Sequence, residues 1–177
     1  MTTIAFDGRF LAADKQVTAN STIVENNAQK LFMPSKNDNW RLNGHKIVAF
    51  AVCGNYGCET EIKDSLNIEG NGLTYKTELV EISDFGLIAI TDDLRCFHAN
   101  KDKDKKTAII CEIENKNYAM GSGSAFANSY LKINMSAQDA VFYASKLDIY
   151  SGCGVDVIDL RNIEGGIFKY EKEIIDR

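Results

Sequence analysis

The chain has 177 residues, of which 45% are hydrophobic and 25% charged, and its net charge at pH 7 is −5. This length predicts one domain over residues 1–177, and the composition excludes an intrinsically disordered chain. The acidic balance argues against a nucleic-acid-binding surface, and no apolar run reaches the roughly 20 residues that cross a bilayer. We therefore expect neither a nucleic-acid partner nor a membrane-embedded segment.

The N-terminus lacks the basic start and long apolar stretch of a signal peptide, so a cytoplasmic location is expected. The five cysteines are odd in number and scattered through apolar segments. Cys53 and Cys58 suggest a metal site, but their spacing is loose, and only His45 and His98 are present to complete one. Buried, reduced thiols are the favoured interpretation, and a metal site is the weaker alternative.

The N-terminal half of the chain is predicted to be mostly strand. Asp7-Gly8 lies between two apolar runs and predicts a hairpin with a type I′ turn, in which both central residues have positive φ. The two hairpin strands would begin at Thr2 and end at Asp14. The pattern then predicts a polar turn at 16–21, a strand at 22–32, a loop at 34–43 and a strand buried on both faces at 45–53.

The C-terminal half alternates between groups of strands and groups of helices. Helical spacing over residues 55–66 is broken at 67–73. Strands are then predicted at 79–82, 86–91, 94–98, 106–114 and 117–120, helices at 124–133 and 136–147, and strands at 155–160 and 166–170. Because strand and helix do not alternate regularly, two antiparallel sheets with helices packed outside are favoured over a doubly wound sheet.

The start of the chain carries the first sign of chemistry. A small second residue permits removal of Met1, which would leave Thr2 with a free α-amine. The reference pKa of such an amine is about 7.7–8.0, so a modest lowering makes it a usable base near neutral pH. The amine could then take the proton from the hydroxyl of the same residue. Because many proteins begin with Met-Thr, this feature alone indicates little.

Four further features agree with that chemistry. Asp14 ends the hairpin partner strand and so returns to the neighbourhood of Thr2. Lys30 supplies a cation that would lower the pKa of the amine and be held by Asp14. Residues 121–124 (GSGS) end a strand and open a helix, and residues 148–152 (DIYSG) lie where a helix gives way to a strand. Taken singly, a surface ion pair, a capping turn and a helix exit are the simpler interpretations.

Taken together, these segments resemble the catalytic β-subunits of the proteasome and the related bacterial peptidase HslV. The matching segments are TTIAFDG…LAADKQVT, NNAQKLF, IVAFAVCG, AMGSGS and LDIYSGCGVDVIDL, in order along nearly the whole chain. The resemblance implies an N-terminal nucleophile hydrolase fold, a four-layer αββα sandwich of two antiparallel sheets flanked by helices. It also implies a threonine-type endopeptidase that acts through an acyl ester on its N-terminal residue.

The resemblance assigns roles to individual residues. Thr2 would be the nucleophile and its amine the base, while Lys30 would tune that base with Asp14 as its partner. The hydrogen-bonding group around the amine and its water would comprise Ser122, Asp148 and Ser151.

The resemblance also predicts where substrate binds. The oxyanion would be bound by a backbone N–H at Cys53 or Gly54, and the sequence leaves both open. Phe50 would line the pocket for the residue before the cleaved bond, with Val17 and Ala28 nearby. A ring at that place narrows the pocket, so a preference for small residues, or little activity, is expected.

The implied partners are a peptide or unfolded-protein substrate, further copies of the chain in a homo-oligomer such as a ring, and an ATPase unfoldase. No cofactor and no metal are implied. Residues 54–85 are too few for the family's long helix pair, so one helix is expected to be reduced or absent. That shortening favours a second hypothesis, a non-catalytic assembly protein. A third is an amidase acting on a small amide, because a fold does not determine its substrate.

Overall fold

The computed structural model describes residues 2–80 and 84–172, which form thirteen strands and three α-helices. The strands are β1 Thr3–Phe6, β2 Phe10–Asp14, β3 Val17–Ala19, β4 Thr22–Glu25, β5 Leu31–Phe32, β6 Arg41–Leu42, β7 His45–Gly54, β8 Phe85–Thr91, β9 Cys96–Lys101, β10 Ile109–Ile113, β11 Tyr118–Gly121, β12 Val155–Asp159 and β13 Ile167–Tyr170. The helices are α1 Cys58–Leu66, α2 Ser124–Lys132 and α3 Ala137–Ala144, and a 3-10 turn occupies Ile163–Gly165.

The strands form two large antiparallel sheets and one small hairpin. The five-stranded sheet has the order β11-β1-β2-β12-β13. The six-stranded sheet has the order β10-β9-β8-β7-β5, with β6 also paired to β7, and β3 pairs with β4. The two large sheets pack face to face across a buried apolar layer that includes Ile4, Leu11, Ala49, Ile88 and Ile158. This packing brings the N-terminal strand of one sheet against the long strand β7 of the other.

The outer faces of the two sheets are covered differently. Successive strand residues point to opposite faces, so Ala5 and Ala12 face outward and pack against Leu131 and Val141 of α2 and α3. On the six-stranded sheet, α1 and irregular segments share this role. Ile62 of α1 packs there beside residues that lie outside any helix, including Trp40, Leu73 and Leu79.

The predicted four-layer αββα sandwich is wrong. The protein is mostly β, with 37% strand and 17% helix, and its described strands form three sheets of five, six and two strands. After α1, residues 67–80 form turns and irregular structure, so the described part of the chain builds no second helix over the six-stranded sheet. Buried loop side chains supply the apolar cover there, because the segment is too short and too rich in turn residues for a helix pair.

Most of the predicted elements are confirmed, including β1, β2, β7, α1, β8, β9, β10, β11, α2, α3, β12 and β13. The single strand predicted over residues 22–32 is wrong. Glu25 accepts the backbone N–H groups of Asn26 and Asn27, and this turn separates β4 from β5. The predicted turn at 16–21 contains β3, which pairs with β4. Of the strand predicted at 79–82, residues 79 and 80 are irregular, and the rest lies outside the described residues.

The first hairpin is confirmed, but its type I′ turn is wrong. Of the two central residues, only Gly8 has a positive φ, at 89°. Asp7 Oδ1 instead accepts the N–H groups of Arg9 and Phe10 and closes a longer loop. Asp7 Oδ2 accepts the N–H of Ala137, so the same carboxylate joins this loop to the start of α3. No helix among the described residues has the length and hydropathy needed to traverse a bilayer.

Candidate active site

Asp14, the last residue of β2, is the centre of a buried polar cluster. Its side chain is inaccessible to solvent, and four groups donate hydrogen bonds to it. Oδ1 accepts the N–H of Thr3 at 2.8 Å and Lys30 Nζ at 2.9 Å. Oδ2 accepts the N–H groups of Gln16 and Gly152, each at 3.0 Å. One carboxylate therefore holds together the N-terminal strand, the residue before β5 and the segment before β12.

Lys30 is buried with its ammonium group on Asp14. Its Nζ also donates to the backbone carbonyl of Gln16. Burial lowers the pKa of Lys30, and the neighbouring Asp14 carboxylate opposes that shift. The cation is thus held in place by its partners, but it gives up its proton more readily than a surface lysine.

Thr2 is buried at the head of β1 and is positioned by the end of β11. The pairing of Thr3 with Gly121 places Ser122 beside Thr2, and Ser122 Oγ lies 3.4 Å from the Thr2 carbonyl oxygen. Gly121 has φ of +96°, and a Cβ there would lie 1.9 Å from the Thr2 carbonyl oxygen. Only glycine lets this strand end so close to Thr2.

A second carboxylate organises the hydroxyl groups near Thr2. Asp148 Oδ2 accepts Ser122 Oγ and Ser151 Oγ, both at 2.7 Å, and Oδ1 accepts the N–H of Tyr150. Ser151 Oγ also lies 2.6 Å from Thr3 Oγ1. Because the one proton of Ser151 goes to Asp148, the Thr3 hydroxyl must donate to Ser151. The result is a directed chain of hydrogen bonds from Thr3 to Asp148.

Two pockets meet at Thr2. We call the first, of about 260 Å³, the Lys30 pocket, and the second, of about 340 Å³, the Asp84 pocket. The Lys30 pocket is lined by residues that include Thr2, Val17, Ala28, Lys30, Phe32, Val52, Cys53 and Gly54. The Asp84 pocket is lined by Thr2, Thr18, Cys53, Gly54, Asn55, Asp84, Gly121 and Ser122. Thr2 therefore adjoins both cavities.

The prediction that Phe50 lines the pocket is wrong. Its ring is fully buried in the core, with its centroid 4.9 Å from that of Phe32 and 5.0 Å from that of Trp40. Val52 lies two residues further along β7 on the same face, and from that face it is Val52 that lines the pocket. The pocket is therefore bounded by Val52 and Phe32, because β7 approaches Thr2 only at its C-terminal end.

The hydrogen-bonding ladder distinguishes the two candidate oxyanion donors. Asn55 donates its N–H to the Asp84 carbonyl across the β7–β8 pair. Since backbone N–H groups alternate in direction, the N–H of Cys53 also points toward β8, and the N–H of Gly54 points away from it. Val52 N–H lies on that same side and donates to the Lys30 carbonyl. Gly54 is therefore the donor directed toward the cleft beside Thr2.

No protein-family model matches this chain, and no curated protein matches it significantly.

The polar residues predicted from the sequence meet at this site, but three other residues of the site were not predicted. The structure brings Thr2, Asp14, Lys30, Ser122, Asp148 and Ser151 into one cluster, and it places Val17 and Ala28 on the wall of the Lys30 pocket. The residues missed were Thr3, Val52 and Asp84. Alternation along β7 could have suggested Val52, but no local signal links Thr3 to Ser151 or Asp84 to Thr2.

Proposed function

We propose that this chain is an N-terminal threonine peptidase, activated by removal of Met1, that cleaves peptide bonds through an ester on Thr2. The observation that carries the proposal is the sharing of Asp14 Oδ1 by Lys30 Nζ and the N–H of Thr3. This sharing puts a buried cation beside the residue that would carry the free amine. A cation so close favours the neutral form of an amine and makes it a base near neutral pH.

The proposed reaction has two stages. The α-amine takes the Thr2 hydroxyl proton while Oγ attacks the substrate carbonyl, and the tetrahedral oxyanion accepts a hydrogen bond from Gly54 N–H. The amine then returns its proton to the leaving nitrogen, and an ester remains on Thr2. A water molecule, deprotonated by the same amine, hydrolyses the ester. The hydroxyl groups held by Asp148 lie where they would orient this water.

The shape of the Lys30 pocket supports a preference for small aliphatic residues before the cleaved bond. Val17, Ala28 and Val52 supply an apolar wall, and the Phe32 ring limits the depth. Matched fluorogenic peptides ending in Ala, Leu or Tyr test this preference. Fastest release after Tyr would contradict it.

Other parts of the proposal rest on the sequence resemblance to proteasome β-subunits and HslV. They are a homo-oligomeric assembly, an ATPase unfoldase that delivers unfolded protein, and a cytoplasmic location. The five free thiols agree with a reducing compartment. The competing candidate is a non-catalytic assembly protein, which the short helical segment over the six-stranded sheet favours.

Intact mass and covalent labelling of the purified protein test the proposal. We expect loss of one Met and one adduct from a peptide vinyl sulfone or epoxyketone. Thr2→Ala should abolish the adduct, and the exposed Thr107→Ala is the matched control that should retain it. A processed wild-type protein that reacts with neither reagent and cleaves no peptide would favour the assembly protein.

A further inference from the structure

The Asp84 pocket has an unusual charge environment. It adjoins Thr2 from the side of Gly121 and Ser122, whereas the Lys30 pocket adjoins Thr2 from the side of Lys30. Among the described residues that line it, Asp84 is the one with a charged side chain. The pocket wall is otherwise made of backbone, hydroxyl, amide and thiol groups.

Asp84 is anchored beside the candidate oxyanion donor. Its carbonyl accepts Asn55 N–H at 2.9 Å, and a Cβ placed on Gly54 would lie only 2.3 Å from the same oxygen. Asp84 therefore cannot be separated from Gly54 without breaking the end of the β7–β8 pair. The pairing of β7 with β8 therefore fixes the Asp84 backbone relative to Gly54, the candidate oxyanion donor.

One oxygen of the Asp84 carboxylate has unmet hydrogen-bonding capacity. Oδ1 is buried, and no donor among the described residues contacts it. Buried polar atoms are nearly always paired, because an unpaired one loses its hydration without compensation. The carboxylate of Asp14 shows the contrast, since four donors reach it. An ammonium or guanidinium group entering the Asp84 pocket would supply the donor that Asp84 Oδ1 lacks.

We infer that the Asp84 pocket receives the side chain of the residue after the cleaved bond and that Asp84 selects lysine or arginine there. The inference rests on the proposed peptidase function. With the acyl side chain in the Lys30 pocket and the oxyanion at Gly54, the leaving part of the substrate lies toward the Asp84 pocket. A cationic side chain is repelled from the first pocket by Lys30 and attracted to the second by Asp84.

Peptide pairs that differ only after the cleaved bond, with lysine in one and norleucine in the other, test this inference. In the Thr2→Ala protein, fluorescence anisotropy should show about 10-fold tighter binding of the lysine peptide, the size expected for a hydrogen-bonded charge pair. In the active protein, kcat/KM should favour the same peptide by a similar factor. Raising the salt concentration should shrink both ratios.

Asp84→Asn preserves shape and removes the charge, so both ratios should fall to about one. Asp92→Asn changes the net charge equally at an exposed turn and should leave them intact. Equal binding of the two peptides by the Thr2→Ala protein, or a preference that survives Asp84→Asn, would overturn the inference. Failure of the active protein to cleave either peptide would instead overturn the peptidase proposal, because the binding ratio does not depend on turnover.

Discussion

Two of the aspartate–lysine pairs among the described residues differ in their surroundings. At the candidate active site, Lys30 and Asp14 are both buried, and burial lowers the pKa of Lys30 despite the neighbouring carboxylate. On the helical side, Asp139 of α3 accepts Lys172 Nζ at 2.6 Å near the surface. There the hydrogen bond from Lys172 to Asp139 raises the pKa of Lys172, and only slight burial opposes it.

The comparison shows that solvent access, more than the pairing itself, determines the pKa of the lysine and the cost of losing one partner of the ion pair. The Asp139 carboxylate also accepts the Tyr170 hydroxyl, and Ser136 caps α3 from the other side, so this cluster ties β13 to a helix start. An ion pair near water contributes little to the free energy of unfolding, and its loss costs little. Removal of one partner from a buried pair is strongly destabilising, because the remaining charge is left without hydration.

The largest effect is expected from Lys30→Met, which leaves Asp14 buried without its cation. We expect a loss of about 3–5 kcal/mol in the free energy of unfolding. Peptide cleavage should fall at least about 100-fold, because the amine loses the charge that tunes it. Urea unfolding at pH 7 and kcat/KM measure the two effects. The matched surface variant Lys172→Met should cost under about 1 kcal/mol, and similar losses in the two variants would refute the comparison.

The pH dependence of activity is the second test. In the proposed mechanism, the low-pH limb should report the α-amine, which must be neutral to act as a base. The high-pH limb should report Lys30 and lie below about 10.4, the pKa of an ordinary lysine, because burial lowers the pKa of Lys30. A kcat/KM profile from pH 5 to 11 shows both limbs. A high-pH limb at or above the ordinary lysine value would exclude Lys30 as its source.

The stability contributions of the two lysines should have opposite signs at alkaline pH. Lys30 has a lowered pKa when folded, so its charge costs stability, and this cost disappears as pH rises through that pKa toward the unfolded value. Lys172 has a raised pKa when folded, so its contribution is complete below the unfolded value and is lost as pH rises through the folded one. The test is the difference in unfolding free energy between each Met variant and the parent, measured from pH 8 to 11. The two differences should change in opposite directions as pH rises. Parallel curves would contradict this prediction.

A smaller effect is expected from Ser151→Ala, which removes the acceptor of the buried Thr3 hydroxyl. Leaving that group unpaired should cost about 1–3 kcal/mol. Ser129→Ala is the control, because Ser129 is exposed and its Oγ donates to the Ala125 carbonyl of its own helix, and this variant should stay within about 0.5 kcal/mol. Thermal or urea unfolding distinguishes the two variants, and equal losses would mean that burial of the pair is unimportant.

The smallest effect is expected from Asp139, in the dependence of the unfolding free energy on pH in the acid range. Burial raises the pKa of Asp139, but hydrogen bonds from Lys172, Tyr170 and Ser136 outweigh burial and hold it below the usual value. Its stabilising contribution is therefore present above the unfolded pKa of about 3.9 and is lost as pH falls through the folded pKa. Asp139→Asn should cost under about 1 kcal/mol at pH 7, and the difference should vanish toward pH 2. A difference that persists in acid would contradict this assignment.

Much of the secondary structure and the polar residues of the site could be predicted from the sequence. Helix α3 is an example, since Ser136 and Asp139 form the predicted cap within one turn. The architecture could not be predicted in the same way. Part of the cover of the six-stranded sheet comes from Trp40, Leu73 and Leu79, which lie in irregular segments before and after α1, so no local periodicity predicted it.

The sequence by itself determined the hairpin of β1 and β2, the buried strand β7 and the short helices, because alternation, helical spacing and caps act over a few residues. Only the tertiary structure decided that Val52 rather than Phe50 reaches the cleft, that Gly54 rather than Cys53 directs its N–H there, and that Thr3 bonds to Ser151. These outcomes depend on strand register and sheet packing. A shift of one residue would reverse them while leaving the local patterns unchanged.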